Sequence, residues 1–91
     1  MIALFSVRLG NKAEKQLEGL DGKMRIRAEG LFVILMDNPV PAKEYDLRKI
    51  KGEIGSYRIR LSGFRVTYEV FWMEKIVRIA KIELHSETTY D

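Results

Sequence analysis

The stretch Tyr57-Arg-Ile-Arg-Leu-Ser-Gly-Phe-Arg-Val-Thr-Tyr-Glu-Val70 decides the fold. Its apolar residues recur at every second position: Tyr57, Ile59 and Leu61, then Phe64, Val66, Tyr68 and Val70. A period of two belongs to strands with one buried face. Ser62-Gly63, between the two runs, reads as a tight turn, so the whole stretch is a β-hairpin. The parity that buries Tyr57, Ile59, Phe64, Val66 and Tyr68 sends Arg58, Arg60, Arg65, Thr67 and Glu69 to the opposite face.

Outward from the hairpin, a further strand is expected over Ile76 to Ile82, after a turn around Met73-Glu74, and a polar tail runs from Glu83 to Asp91. On the other side, Pro39 to Gly55 is irregular, with Tyr45, Leu47 and Ile50 as its anchors. Before it the period lengthens. Met24, Ala28, Leu31 and Leu35, widened by Ile34, form a helical stripe that Asn38-Pro39 ends, because proline disfavours a helical residue ahead of it. Ala13, Leu17 and Leu20 form a shorter stripe, with Asn11 expected as its cap, Glu14 completing a capping box, and Asp21-Gly22 ending it. The run from Ile2 to Leu9 is apolar and rich in branched and aromatic residues, which predicts a strand buried on both faces. The order β-α-α-β-β-β implies an α+β fold of two layers, a helical hairpin packed on one face of a mainly antiparallel, twisted sheet.

Ninety-one residues, without repeats or linkers, suit a single domain covering residues 1–91. The chain has no cysteine and one histidine, which excludes a disulfide scaffold, a thiolate nucleophile and cysteine-based zinc sites. The N-terminal run has no basic segment ahead of it, and no apolar stretch approaches the ~20 residues of a membrane span, so a cytoplasmic setting without membrane contact is expected. There is no glycine-rich phosphate loop, no Ser/His/Asp set and no metal-ligand spacing, so neither cofactor nor metal is expected. Any chemistry would have to be run by Arg, Lys, His and Tyr.

The charge is unevenly spread. Between Arg48 and Arg65 lie six cations (Arg48, Lys49, Lys51, Arg58, Arg60, Arg65) and one acid, Glu53, so this window carries more positive charge than the whole chain, whose formal net charge is +3. A concentrated basic segment points to a polyanionic or acidic partner. One arginine on a sheet face is ordinarily a solvated residue. Three guanidinium groups converging on that face suit phosphate instead, which the planar fork of arginine fits. His85 alone has an ordinary pKa near neutrality. Spacing alone would leave it a surface residue of the tail, and Tyr90 a packing residue or a frayed end.

The segments Leu47-Arg-Lys-Ile-Lys-Gly52, Tyr57-Arg-Ile-Arg60 and Gly63-Phe-Arg-Val-Thr-Tyr-Glu-Val70 resemble the RelE/ParE superfamily of toxins from toxin–antitoxin pairs, and the resemblance runs over essentially the whole chain. It implies the RelE-like fold and one of two activities. RelE-type members are ribosome-dependent endoribonucleases (mRNA interferases) that cut mRNA in the A site and so inhibit translation; ParE-type members inhibit DNA gyrase. A degenerate member would only bind RNA or its antitoxin. Both types are silenced by a small antitoxin, here a RelB-like protein, in complexes that include heterotetramers.

For the ribonuclease branch the resemblance implies a catalytic set. Arg58 and Arg60 stand where RelE-like toxins keep catalytic or phosphate-binding Lys or Arg, and Arg65 matches the arginine that stabilises the transition-state phosphate. His85 lies where many relatives have a histidine, and Tyr90 resembles the tail tyrosine that stacks on a base and assists proton transfer. Arg48, Lys49, Lys51 and Lys81 are expected to hold RNA phosphates. Two departures matter. The arginine that follows the histidine in relatives is Ser86 here, and arginines replace the lysines of the best-known type. Arginine is not deprotonated in proteins, so it stabilises charge but cannot act as a base.

Overall fold

The computed structural model describes residues 4–84. Its elements are β1 (Ser6–Leu9), α1 (Asn11–Glu18), α2 (Gly22–Asp37), β2 (Asp46–Lys49), β3 (Ser56–Leu61), β4 (Phe64–Phe71) and β5 (Ile76–Leu84). The five strands make one mixed sheet in the order β1-β5-β4-β3-β2. β1 runs parallel to β5, and the other three pairings are antiparallel. This is the α+β arrangement that the periodicities imply, with one more strand than the hydrophobic pattern reveals. β2 lies inside the segment expected to be irregular. It is four residues long, sits at the sheet edge and shows only Leu47 half-buried, so it has too little apolar alternation to announce itself.

β1 is also shorter and more exposed than expected. Its side chains alternate between exposed and half-buried at the opposite edge, rather than being buried on both faces, and the fully buried residue of that run is Phe5. The parallel pairing explains the difference, because β1 has a neighbour on one side only, from Ser6↔Ile76 to Leu9↔Ile79.

The helices cover one face of the sheet. α1 buries Ala13 and Leu17, α2 buries Ala28, Leu31 and Leu35. They meet the inward residues of the strands, among them Ile59, Phe64, Val66, Tyr68, Val77 and Ile79, all inaccessible to solvent. α1 is capped differently from the expectation. Its N-cap is Gly10, Asn11 is already helical, and no side chain caps the turn. Gly10 sits close to the sheet there: a Cβ would lie 3.1 Å from Arg78 Nη2 and 3.3 Å from the Ile79 carbonyl, a tight fit, and the Gly10 N–H donates to that carbonyl at 2.9 Å. α2 has a side-chain cap, Asp21, which accepts from the Met24 N–H at 2.9 Å.

Among the described residues, two long-range hydrogen bonds made by side chains tie the layers together. The Tyr68 hydroxyl donates to the Pro39 carbonyl at 2.8 Å in the interior, fixing the connection between α2 and β2 against the middle of the sheet. On β5, beyond the reach of β1, the Ile82 N–H donates to Gln16 Oε1 at 2.7 Å, so a side chain of α1 stands in for a missing strand partner. Among the described residues no helix is long and apolar enough to cross a membrane.

Candidate functional site

The site is a consequence of register. β3 and β4 are joined through Ser62 and Gly63, and Gly63 takes a φ of 90°, which glycine reaches without strain. That turn sets Arg60 directly opposite Arg65 and Arg58 opposite Thr67. β2 adds Asp46 opposite Arg60 and Arg48 opposite Arg58. Four arginines therefore share the face away from the helices, and two pairs of them are immediate cross-strand neighbours.

β5 extends this face through a bulge. Thr67 pairs with Lys81 while the next residue, Tyr68, pairs with Ile79, leaving Ala80 as the extra residue. The irregularity lets Ile79 and Ile82, three apart, both point into the core, and it turns Lys81 and Glu83 outward beside Thr67 and Arg65. Across the strands the open face bears Arg8, Arg48, Arg58, Arg60, Arg65, Arg78 and Lys81 against Asp46, Glu69 and Glu83, an excess of positive charge larger than that of the whole chain.

Asp46, Arg48, Arg58, Arg60 and Arg65 line a depression of about 340 Å³. Asp46 lies 3.8 Å from Arg48 Nε, a long and solvent-exposed ion pair. Among the described residues Arg58 has no carboxylate partner. Like charges placed directly opposite each other destabilise a sheet, and the Arg48–Arg58 pair, which has only the long Asp46 contact beside it, is such an opposition that an incoming anion would relieve. Bidentate guanidinium groups around a concave site suit a phosphodiester.

The expected phosphate-binding residues divide. Arg48 joins the arginine pocket. Lys81 lies on the same face in the adjoining depression with Arg58, Thr67 and Glu69, and forms a 3.9 Å ion pair with Glu83. Lys49 pairs with Tyr57 and borders a groove with Ile54 and Trp72, away from the arginines, and Lys51 is an exposed residue of the β2–β3 turn. His85 and Tyr90 lie outside the described residues. Asp46 is the member that sequence reasoning missed. The available signal was the short alternation Asp46-Leu47-Arg48 around a half-buried Leu47.

On the core side of the hairpin, Tyr57 and Tyr68 pack with ring centroids 5.8 Å apart. Burial, and to a lesser degree Tyr57, pushes the Tyr68 hydroxyl well above the usual tyrosine range. It is a structural donor and faces away from the arginines. Among the described residues no group of His, Cys, Asp and Glu is arranged to hold a metal ion.

No protein-family profile matches the chain. It is 33% identical over 78 residues to the candidate toxin RelE1 of Methanocaldococcus jannaschii, covering 86% of this chain and 87% of that protein. The chain in the archaeal RelE–RelB complex from Pyrococcus horikoshii is 29% identical and superposes with a TM-score of 0.82, over 97% of this chain and all of that one. The chain in the E. coli RelBE toxin–antitoxin complex shares the fold at a TM-score of 0.77 and 20% identity, over 91% of this chain and 99% of that one.

Proposed function

Because this chain belongs to the RelE family of toxins from toxin–antitoxin pairs, we propose that it is a ribosome-dependent endoribonuclease that cleaves mRNA in the A site and thereby stops translation. The observation that carries this reading is the arginine pocket, in which Arg48, Arg58, Arg60 and Arg65 converge with two like-charge pairs directly opposed.

The reaction that fits these side chains is transesterification. The ribose 2′-oxygen loses its proton and attacks the adjacent phosphorus, the bond to the 5′-oxygen breaks, and the products are a 2′,3′-cyclic phosphate and a protonated 5′-hydroxyl. Negative charge grows on the phosphoryl oxygens, and preorganised guanidinium groups stabilise it where it develops. Arg65, with Arg58 and Arg60, supplies that stabilisation, and Arg48 and Lys81 hold flanking phosphates. The arginines cannot take the 2′ proton. His85 is the group suited to proton transfer at neutral pH, with Tyr90 stacking on a base and assisting the leaving group. The ribosome contributes by holding the mRNA in line for attack. In the cytoplasm a RelB-like antitoxin is the partner that silences the toxin, by covering the basic face with an acidic or amphipathic segment. That reading is supported by the relatives crystallised as RelE–RelB complexes.

Primer extension on mRNA bound to ribosomes tests the proposal. Wild-type protein should yield a break within the A-site codon, and Arg65→Ala should reduce it about 10²–10³-fold, the usual cost of losing one electrostatic donor. Intact mRNA with folded wild-type protein, together with inhibited gyrase supercoiling, would move the activity to the topoisomerase branch of the superfamily.

A further inference from the structure

The open face has a second concavity that the catalytic reading does not use. At the far end of β4, Phe71 pairs with Ile76, and Glu69 pairs with Arg78, which stands beside Arg8 across the parallel β1–β5 pairing. Arg8, Leu9, Phe71, Glu74, Ile76 and Arg78 enclose about 420 Å³. The floor is apolar, and Phe71 is 39% exposed, a costly display for an aromatic ring with no role. The rim sets Arg8 and Arg78 against the single lining acid Glu74. Arg78 contacts Glu69 at 3.2 Å, and Arg8 has no carboxylate partner among the described residues.

We propose that this depression binds one unstacked base of a single-stranded RNA, stacked against Phe71 while Arg8 and Arg78 hold the neighbouring phosphates. The inference rests on the ribonuclease reading, because the strand it receives is the one whose scissile phosphate sits in the arginine pocket. Phe71 is six residues along β4 from Arg65, and β5 is two strands from β3. At ~3.3 Å per residue and ~4.8 Å between strands the two depressions are about 20 Å apart, with Thr67 and Lys81 on the face between them. An RNA strand with its phosphate among the arginines thus reaches Phe71 several nucleotides away. An aromatic floor with cations at its rim matches the chemistry of a nucleotide strand, in which flat apolar rings hang from a polyanionic backbone.

The test measures binding by fluorescence anisotropy, at low ionic strength, of 2′-O-methyl RNA that cannot be cleaved. The probes are a dodecanucleotide, the same strand with abasic positions, and a trinucleotide too short to reach both depressions. Stacking of one base is worth ~1–3 kcal/mol, so Phe71→Ala should weaken the dodecanucleotide about 5- to 150-fold. It should leave the trinucleotide and the abasic strand unchanged. Phe71→Trp should restore binding, which separates stacking from a folding defect. Arg58→Gln should weaken all three probes. Wild-type affinity of Phe71→Ala for the dodecanucleotide, or an equal loss for the abasic strand, would overturn the base subsite and leave the catalytic reading standing. Failure of the wild type to bind the dodecanucleotide would also overturn the base subsite, while the catalytic reading stands or falls on primer extension with ribosome-bound mRNA.

Discussion

Replacing Tyr68 by Phe removes one oxygen atom from the centre of the molecule and nothing else. The ring stays packed, since Tyr68 is inaccessible to solvent, but the Pro39 carbonyl loses a 2.8 Å donor in a place water does not reach. Leaving a buried acceptor unsatisfied costs ~1–3 kcal/mol. In a domain of this size each kcal/mol moves the melting temperature by about 4–8 °C, so Tyr68→Phe should melt about 4–24 °C lower. The alkaline limb adds a second condition. Burial holds the hydroxyl in its neutral form, with a pKa above the unfolded value near 10. The folded state therefore binds the proton more tightly, and the stability this contributes is full below about pH 10 and is lost as pH rises further. The phenylalanine variant has no such group. The stability gap between the two proteins should accordingly be constant from pH 6 to 9 and narrow above pH 10, at a rate approaching ~1.4 kcal/mol per pH unit. Urea unfolding followed by fluorescence of the single tryptophan, Trp72, which packs edge-on against Phe5 with centroids 5.4 Å apart, reads both quantities. A loss below ~0.5 kcal/mol at neutral pH, or a gap that ignores alkaline pH, would refute the role assigned to this hydrogen bond.

Three further perturbations probe the site and its frame. Arg58→Gln removes one member of the Arg48–Arg58 pair, and it should stabilise the fold by ~0.5 kcal/mol at low salt, with the gain shrinking as salt screens the repulsion, while RNA cleavage falls; calorimetry at two ionic strengths reads it. Gln16→Ala should cost about 1 kcal/mol and raise hydrogen exchange at the Ile82 amide above that of its neighbour Ile79. Gly63→Ala forces a Cβ into a left-handed turn at ~1–2 kcal/mol. Its Cβ would fall 2.7 Å from Met24 Cε, the mobile end of a long side chain, so a denaturation midpoint shift set by the backbone term alone is expected.

The hairpin was legible because both of its strands alternate without interruption and have one face against the helices, so the period in the sequence is the pattern of burial in space. Arg58, Arg60 and Arg65 could be placed on one face from parity alone. Parity failed on β5, where Val77 and Ile79 keep the alternation and Ile82 breaks it. The bulge at Ala80 is settled by pairing with β4, which a local window does not contain. β2 was hidden for a related reason. Its pairing partner is β3, its length is four residues, and its edge position demands little apolar content, so Asp46 and Arg48 enter the pocket through tertiary contact and not through local pattern. The exposed half of β1 followed the same logic in reverse, an apolar run placed at an edge because its partner is the most distant strand in the sequence.

That last pairing also sets the order in which the molecule can be completed. Synthesis delivers β1 first and β5 after every other strand, and the two register as Val7↔Val77. Contacts so far apart in the chain form slowly, because a long loop must close before they can reward it. The β3–β4 hairpin can form locally, but Val66 and Tyr68 have their neighbours Ile82 and Ile79 on β5. A growing chain thus holds its arginines on an unsupported hairpin, and the finished surface exists only once translation of β5 has been completed.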